Sequence, residues 1–246
     1  MKKTDESNAS NIIDIAFELD AKELIKLIDS LKSKFKKTAE ISIKIELANR
    51  INYSVENVEE IQKEDNKGTK KITEISINFE EGDFFEKNHK EVSIKIKKGY
   101  PVGRIFYSID SYNKNWTSET LNLIEERINN FKKKYSFIYK IEWEIFMMFP
   151  ISAILTWLLI LTTKAIFPNL LLNTTLYLTV FTIFIISFIT SPFILTLIQK
   201  LFPPYIFVFG EEINRLEKIK SIRIWVLRSL ILSTIFTCLV KKILNL

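Results

Sequence analysis

Four cationic side chains gather in the stretch "IKIKKGYPVGR" and are the first candidates for binding chemistry. Lys95, Lys97, Lys98 and Arg104 surround a predicted hairpin that contains two glycines and a proline. Backbone N–H groups exposed by such a turn, together with ammonium and guanidinium groups, favour an anion. The stretch therefore indicates a site for a nucleotide or another phosphate group. The alternative is a solvated strand face whose lysines prevent the edge of the sheet from pairing with another chain.

Residues that could carry out catalysis are scarce. The chain has one histidine, His89, in the charged segment "EEGDFFEKNHKE", and one cysteine, Cys238, in an apolar stretch. We expect the histidine in a solvated loop, and a single cysteine excludes an internal disulfide or a cysteine-based metal site. The acids Glu80, Glu81 and Asp83 gather at a predicted turn, where solvated acids are ordinary. The sequence therefore indicates neither an enzyme, nor a metal site, nor a cofactor.

A second candidate site is a stripe of hydroxyl side chains in the apolar segment from Leu170 to Lys200. At about 100° per residue on a helix, five threonines fall within about 120° of one another, opposite the phenylalanines of the same segment. These candidate pore-lining residues are Thr175, Thr179, Thr182, Thr190 and Thr196. Three interpretations stay open: hydroxyls bonded to their own helix, a contact between helices, or the lining of a pore built from several subunits.

Long apolar segments identify a membrane protein. Residues 145–163 and 170–198 carry no charge, and about 20 apolar residues in a helix cross the hydrocarbon core of a bilayer. A third segment, 224–240, contains Arg228, so it either crosses or forms a re-entrant helix. Between the second and third segments, residues 199–222 are predicted to be an amphipathic cytoplasmic piece. Its aromatic residues Phe202, Tyr205, Phe207 and Phe209 are expected at the membrane interface.

The distribution of charge predicts the orientation in the membrane. Residues 1–144 hold 26 basic and 26 acidic side chains, whereas the remainder holds 9 and 3, so the whole net charge of +6 lies around the apolar segments. Cytoplasmic loops carry the excess of lysine and arginine, and here these residues precede the first span and follow the second. We therefore expect the N-terminal domain in the cytoplasm.

An α+β domain is predicted in residues 1–117. A helix capped by Asp20 is followed by the alternating strand "EISIKIEL", by a short helix capped by Ser54, and by the strands "KITEISINF", "EVSIKIKKG" and "GRIFYSID". The last three strands are close in sequence, which favours an antiparallel meander. Residues 118–144 are predicted to be a connecting helix that runs without a break into the transmembrane domain, residues 145–246.

This order of elements resembles that of bacterial anti-phage membrane effectors, and it is most similar to the Hailong-type channel components. The resemblance is carried by "SIDSYNKNW" at the end of the sheet, by the helix leading to "IEWEIFMMFP", and by "FPPYIFVFG" with the basic segment behind it. It implies that the protein resides in the inner membrane of a bacterium and forms a homo-oligomeric pore, in this family a tetramer. It also implies a cytoplasmic domain that senses an oligonucleotide or cyclic nucleotide, made by a partner enzyme. Duplex DNA is not an expected partner.

Two function classes follow from this layout. One is an ion channel gated by the cytoplasmic sensor domain. Two or three spans of one chain cannot enclose a pore, so this channel requires a ring of several copies. The other is a non-conducting membrane anchor whose soluble domain recruits a partner protein. An enzyme acting on lipid is the weakest hypothesis, because no histidine or paired acid stands near the membrane segments.

Overall fold

The computed structural model describes residues 7–83, 88–99, 102–140 and 196–243 of the chain, without the side chains of residue 140 and of most residues from 227 on. The chain divides into two compact units, residues 1–136 with 204–246, and residues 137–203. The predicted first span, 145–163, and residues 170–195 of the second lie outside the described residues. Within the described part of the chain, no helix is long and apolar enough to cross a membrane.

The first unit is an α+β fold. In chain order its strands are β1 (Ser7–Ile15), β2 (Phe17–Asp20), β3 (Glu40–Leu47), β4 (Asn52–Val55), β5 (Ile72–Glu81), β6 (Lys90–Lys97), β7 (Gly103–Ser111) and β8 (Tyr205–Val208). Its helices are α1 (Ala21–Lys32), α2 (Val58–Gln62), α3 (Lys114–Phe131) and α4 (Glu211–Ile243), with 3-10 turns at Gly68–Lys70 and Lys134–Lys140.

Six of the strands form one antiparallel sheet in the order β1-β7-β6-β5-β3-β4. The predicted meander of β5, β6 and β7 is confirmed, because these strands are hydrogen-bonded neighbours. Their apolar residues alternate and face α1 and α3, with Val92, Ile94 and Ile96 fully buried. This alternation follows from strand geometry, in which successive side chains point to opposite faces.

β1 is a strand that the sequence did not predict. It pairs with β7 along its whole length, from Ser7 opposite Ser111 to Ile15 opposite Gly103. Its first half, "SNASN", is polar on both faces and poor in residues that favour strands. Its place at the edge of the sheet explains this composition, because most of its side chains are exposed or half-buried.

The helix starts depend on side-chain caps. The carboxylate of Asp20 accepts a hydrogen bond from the Glu23 N–H at 2.8 Å, as predicted for α1. The short helix α2 is capped by Asn57, so the prediction of Ser54 as its cap is wrong; Ser54 lies in β4. The asparagine stands closer to the first apolar residue of the helix, Val58, than the serine does.

The connecting helix is shorter than predicted. α3 begins at Lys114, capped by Asn113, and ends at Phe131, and Lys132 is extended with φ −63° and ψ 135°. Lys132 forms a β-bridge with Phe17, and a long-range contact of this kind overrides local helix propensity. A helix without a break through 118–144 is therefore wrong, and residues 141–144 lie outside the described residues.

β8 corrects the prediction for the segment that follows the second span. It pairs in parallel with β2, from Phe17 opposite Tyr205 to Asp20 opposite Val208. Phe207 and Phe209 are buried in the core of the α+β fold and therefore do not lie at a membrane interface. A short apolar run bounded by prolines and a glycine fits a buried strand as well as a membrane segment.

α4 changes character along its length. Glu212, Leu216 and Ile219 are buried against the fold, whereas Ile222, Ile224, Trp225 and Leu232 are exposed. The predicted third segment, 224–240, lies on this same continuous helix. Its side chains from 233 on are outside the described part of the chain, so its crossing of the membrane stays a prediction.

Candidate functional site

The first candidate site lies on the face of the six-stranded sheet that points away from α1 and α3. Because side chains alternate along β6, Lys95 and Lys97 project to this face while Ile94 and Ile96 are buried beneath it. The register aligns one row of charges across five strands. The row runs Glu46, Glu74, Lys97, Arg104, Asp14. Cations and carboxylates are thus neighbours in this row.

Arg104 is paired with a carboxylate. Its Nε donates to Asp14 Oδ1 at 2.8 Å and its Nη2 to Asp14 Oδ2 at 3.4 Å. Hydrogen bonding to Asp14 is the larger cause, and the negative charge of Asp14 the smaller cause, of a pKa of Arg104 above its usual value. Since Asp14 already balances the guanidinium charge, Arg104 is poorly placed to hold a separate anion.

Two of the four predicted cations come together in a shallow depression of about 330 Å³ at the end of this face. Lys97 and Lys98 line it together with Arg50, which the sequence did not suggest, and with Glu46 and Glu74. Arg50 arrives from the turn between β3 and β4, where it adopts a left-handed conformation with φ 65°. Lys95 and Arg104 do not line the depression, and the two carboxylates in its wall weaken its attraction for an anion. The anion site stays a prediction.

The second candidate site is a group of charged and aromatic side chains around a buried carboxylate, which we name the Glu18 cluster: Glu18, Lys133, Tyr135, Lys220 and Arg223. Glu18 is only 8% exposed. Its Oε2 lies 2.9 Å from Lys133 Nζ and 3.9 Å from Lys220 Nζ, and its Oε1 accepts a hydrogen bond from the Tyr135 hydroxyl at 3.3 Å. The guanidinium of Arg223 lies 5.1 Å from the centroid of the Tyr135 ring.

Burial is the main cause of a raised pKa at Tyr135, and the negative charge of Glu18 adds to it, while Arg223 acts in the opposite direction. The phenol is therefore a neutral donor to Glu18 at ordinary pH. The cluster joins three distant parts of the chain: β2, the segment after α3, and α4. No local sequence pattern could have identified it.

Next to this cluster, two consecutive residues hold both ends of the segment that contains the predicted first and second spans. Ala16 N donates to Ser136 Oγ at 2.9 Å, and Phe17 N donates to Pro204 O at 3.3 Å. Lys133 N also donates to Ala16 O at 2.9 Å. We name these contacts the Ala16–Phe17 clamp. Its two central residues are fully buried, which shields the hydrogen bonds from water.

The aromatic ring of Phe17 fixes the clamp in the core. It lies 5.5 Å from the Phe207 ring and 6.4 Å from the Phe131 ring, both edge to face. Gly103 approaches it so closely that a Cβ there would lie 2.2 Å from the Phe17 ring. Both the helix that precedes the apolar segment and the strand that follows it thus contact one side chain.

A buried asparagine attaches the chain after the apolar segment to the sheet. Asn66 is 1% exposed; its Nδ2 donates to Phe207 O at 2.7 Å and Phe209 O at 3.3 Å, while its Oδ1 accepts from Ile72 N at 2.8 Å. Gly210 adopts φ 52°, and a Cβ on it would lie 2.1 Å from the Glu64 carbonyl oxygen. The only sequence signal for this corner was the break in pattern at "NKG".

Two further predictions about single residues are wrong. His89 is 2% exposed, and its Nδ1 lies 3.2 Å from Gly82 O, so it is not a solvated loop residue. Glu81 is also buried rather than solvated, with its Oε2 accepting from Lys36 N at 2.9 Å. Glu81 lies at the end of β5, and its partner Lys36 comes from the loop after α1, which a local sequence pattern does not reveal.

The hydroxyl stripe lies almost wholly outside the described residues. Thr175, Thr179, Thr182 and Thr190 belong to the part of the chain that the structure does not describe. Thr196 lies in a helical stretch, residues 196–201, and is exposed. The pore-lining role of all five threonines stays a prediction.

Comparison of the chain with protein-family models, with curated proteins and with solved structures finds no match. The Ala16–Phe17 clamp holds Ser136 and Pro204, the residues on either side of segment 137–203, within the α+β unit.

Proposed function

We propose that the protein is an oligomeric effector of the bacterial inner membrane, an ion channel gated by its cytoplasmic α+β unit, with a role in anti-phage defence. The observation that carries the proposal is the Ala16–Phe17 clamp. The residues just before and just after segment 137–203, Ser136 and Pro204, are hydrogen-bonded to neighbouring backbone N–H groups. This segment contains the uncharged stretches of the predicted first and second spans.

The clamp supports a gating mechanism because β2 is connected to both ends of the apolar segment. β2 pairs with β8 and leads directly into α1, whose cap is Asp20. A ligand that favours one arrangement of the sheet and α1 would therefore shift β2 and both ends of the segment together. Such a ligand changes the gate only through its difference in affinity for the open and closed states.

The proposed signal is an oligonucleotide or cyclic nucleotide from a partner enzyme, as in the family that the chain resembles. On the described residues, the depression lined by Arg50, Lys97 and Lys98 is the candidate for contact with its phosphates. The carboxylates of Glu46 and Glu74 in the same wall make this a weak anion site. A nucleotide would need the partial displacement of these carboxylates, or a second copy of the chain to contribute further cations.

The charge-balanced sheet face also supports the alternative, a non-conducting membrane anchor that recruits a partner protein. Opposite charges in neighbouring positions give specificity and orientation in protein–protein contacts rather than attraction for a free anion. An anchor needs the clamp for attachment, but it does not need a polar path through the membrane.

Ion flux through vesicles containing the purified full-length protein separates these two functions. A channel conducts, and Thr182→Leu or Thr190→Leu lowers the flux because a bulky apolar side chain replaces a hydroxyl on the proposed lining. Phe184→Leu is the matched control, because Phe184 lies on the opposite side of the predicted helix. Flux is measured with and without a short oligodeoxyadenylate.

Two outcomes contradict the channel. If the wild-type protein conducts no ions with or without the oligodeoxyadenylate, the anchor takes its place. If both threonine variants conduct as the wild type does, the hydroxyl stripe is not the path.

A further inference from the structure

Three parallel rows of side chains cross the sheet on the face that points away from α1 and α3. Each row takes one residue from each of β3, β5, β6 and β7, and its members are neighbours in the strand register. The acidic row is Glu40, Glu80, Glu91 and Asp110. Two residues further along the strands, the serine row is Ser42, Asn78, Ser93 and Ser108. The basic row comes next and is Lys44, Ser76, Lys95 and Phe106.

The charges of the outer rows are not balanced on their own strands. Glu40, Lys44 and Lys95 are exposed, and within the described residues they take part in no ion pair. The side chain of Glu91 is 45% exposed, and its Oε2 lies 3.9 Å from His89 Nε2. Residues four apart on an antiparallel strand are separated by about 14 Å, so upright side chains of the acidic and basic rows do not reach each other.

We propose that this face of the sheet pairs with the same face of a second copy of the chain. A rotation of 180° about an axis along the serine row lays the acidic row of each copy over the basic row of the other. Glu91 then faces the partner's Lys95, and the symmetry forms this pair twice. Glu40 faces the partner's Lys44 in the same way. A second copy fits better than an unrelated protein, because its own rows supply both charges at the matching spacing.

The serine row lets the two sheets approach each other. Its side chains are smaller than the glutamates and lysines beside them, and Ser93 Oγ donates to Asn78 Oδ1 at 2.7 Å, so the centre of the face is neutral. Glu80 and Asp110 face the neutral members of the partner's basic row, and no like charges meet within the three rows. Packed sheets lie about 10 Å apart, a gap that a glutamate and a lysine span from opposite sides.

The contact between the two copies is small. Four strands about 4.8 Å apart and five residues of about 3.4 Å each cover about 300 Å² on each copy, less than a stable interface between separate proteins needs. The pairing therefore rests on the proposed function, because membrane segments that hold the copies together raise their effective concentration. It suits a channel and an anchor alike, and a ring of four copies can hold two such pairs.

Crosslinking through a single cysteine tests the pairing in the purified full-length protein, reconstituted in lipid vesicles. Cys238→Ser removes the native thiol, and Ser93→Cys places a new one on the proposed axis. A bismaleimide that spans about 10 Å, the separation of packed sheets, should join two copies into a dimer on a denaturing gel. One thiol per chain limits the product to a dimer, whatever the number of subunits.

Ser33→Cys in the same background is the matched control for the position of the thiol. Ser33 is exposed at the C-terminal end of α1, which packs against the other face of the sheet. It should give at least about 5-fold less dimer, because a dimer from Ser33→Cys requires a chance encounter. Equal yields from the two positions would mean that the Ser93→Cys dimer is also a chance product, which overturns the pairing.

Charge reversal in the Ser93→Cys background tests the ion pairs. Glu91→Lys or Lys95→Glu alone should lower the dimer yield by about 10-fold, since each replaces two attractions with two repulsions. Both reversals in one chain should restore the yield, and so should an equal mixture of the two single variants. Restored yield also shows that the reversed chains are folded. Lys22→Glu, an exposed change on α1, is the control and should leave the yield unchanged.

Failure of the pairing is distinct from failure of the proposed function. Absence of the Ser93→Cys dimer, or a yield that neither single reversal lowers, overturns the pairing and leaves the channel untouched. Vesicles that conduct no ions contradict the channel, whereas the dimer yield does not depend on flux. Recovery of the wild-type protein in the soluble fraction without detergent contradicts the membrane location before any crosslinker is added.

Discussion

Removal of the Asn66 side chain is expected to open the contact between β5 and β8. The carboxamide satisfies the N–H of Ile72 and the carbonyl groups of Phe207 and Phe209, all in the interior. Asn66 also adopts the left-handed conformation, with φ 47°. Asn66→Ala removes the hydrogen bonds and places a Cβ-bearing residue without a stabilising side chain in a conformation that it rarely adopts.

The magnitude follows from the hydrogen bond to Ile72 N–H and from the backbone conformation. Ile72 N–H loses its partner, and an unsatisfied buried group costs about 1–3 kcal/mol, whereas the carbonyl oxygen of Phe207 still accepts from Phe209 N at 2.9 Å. The left-handed backbone adds about 1 kcal/mol for alanine, so Asn66→Ala should cost about 2–4 kcal/mol in total. Asn66→Gly tolerates the backbone conformation, so it should lose the hydrogen-bond contribution alone.

Amide hydrogen exchange of the full-length protein, followed by mass spectrometry, measures the loss of local stability where β5 and β8 meet. The lower estimate of about 2 kcal/mol corresponds to an exchange about 30-fold faster in the peptides that contain Ile72 and β8. Asn49→Ala is the control, because Asn49 is exposed and its Oδ1 accepts only a local bond from Ile51 N at 3.2 Å. Exchange in Asn66→Ala that matches the wild type would refute the argument that Asn66 fastens β8 to the sheet.

Three further changes test separate parts of the structure. Burial alone would raise the pKa of Glu81, but hydrogen bonds from Lys36 and the charge of Lys90 lower it. At pH values above its ordinary pKa of 4.5, ionised Glu81 therefore adds to the free energy of unfolding, and this contribution is lost as the pH falls through the folded-state pKa. The unfolding midpoints of the wild type and Glu81→Gln should differ at neutral pH and converge in acid. Gly210→Ala should lower the unfolding temperature of the full-length protein, because its Cβ meets the Glu64 carbonyl, and an unchanged temperature would contradict that contact. Charge reversal of Lys97 and Lys98 to glutamate should abolish the response of ion flux to oligodeoxyadenylate, and an unaltered response would remove the anion site.

The sequence predicted those strands whose apolar residues alternate, because burial of one face imposes a period of two. β3, β5, β6 and β7 follow this pattern. β1 does not, because an edge strand with polar residues on both faces has no such signal. β8 was missed for a different reason: the run "YIFVF" is uniformly apolar, and only its distant partner β2 makes it a strand rather than part of a membrane segment.

The candidate sites also differ in whether a local sequence pattern reveals them. Lys97 and Lys98 were predicted because they are neighbours in sequence on one strand end. Arg50 reaches the same depression from another turn, and the Glu18 cluster combines residues from segments that are far apart in the chain. Such sites are set by strand pairing and helix packing, which local patterns do not specify. The early end of α3 has a similar cause, since Lys132 bridges to Phe17.

The mass of the full-length protein in a mild detergent, measured by native mass spectrometry, shows whether the chain forms the closed ring that a channel needs. An ion channel requires a uniform closed ring, because two or three spans of one chain cannot enclose a pore, and the resemblance to Hailong-type channel components implies a tetramer. A monomer or a dimer would contradict the channel and leave the membrane anchor as the function of this protein.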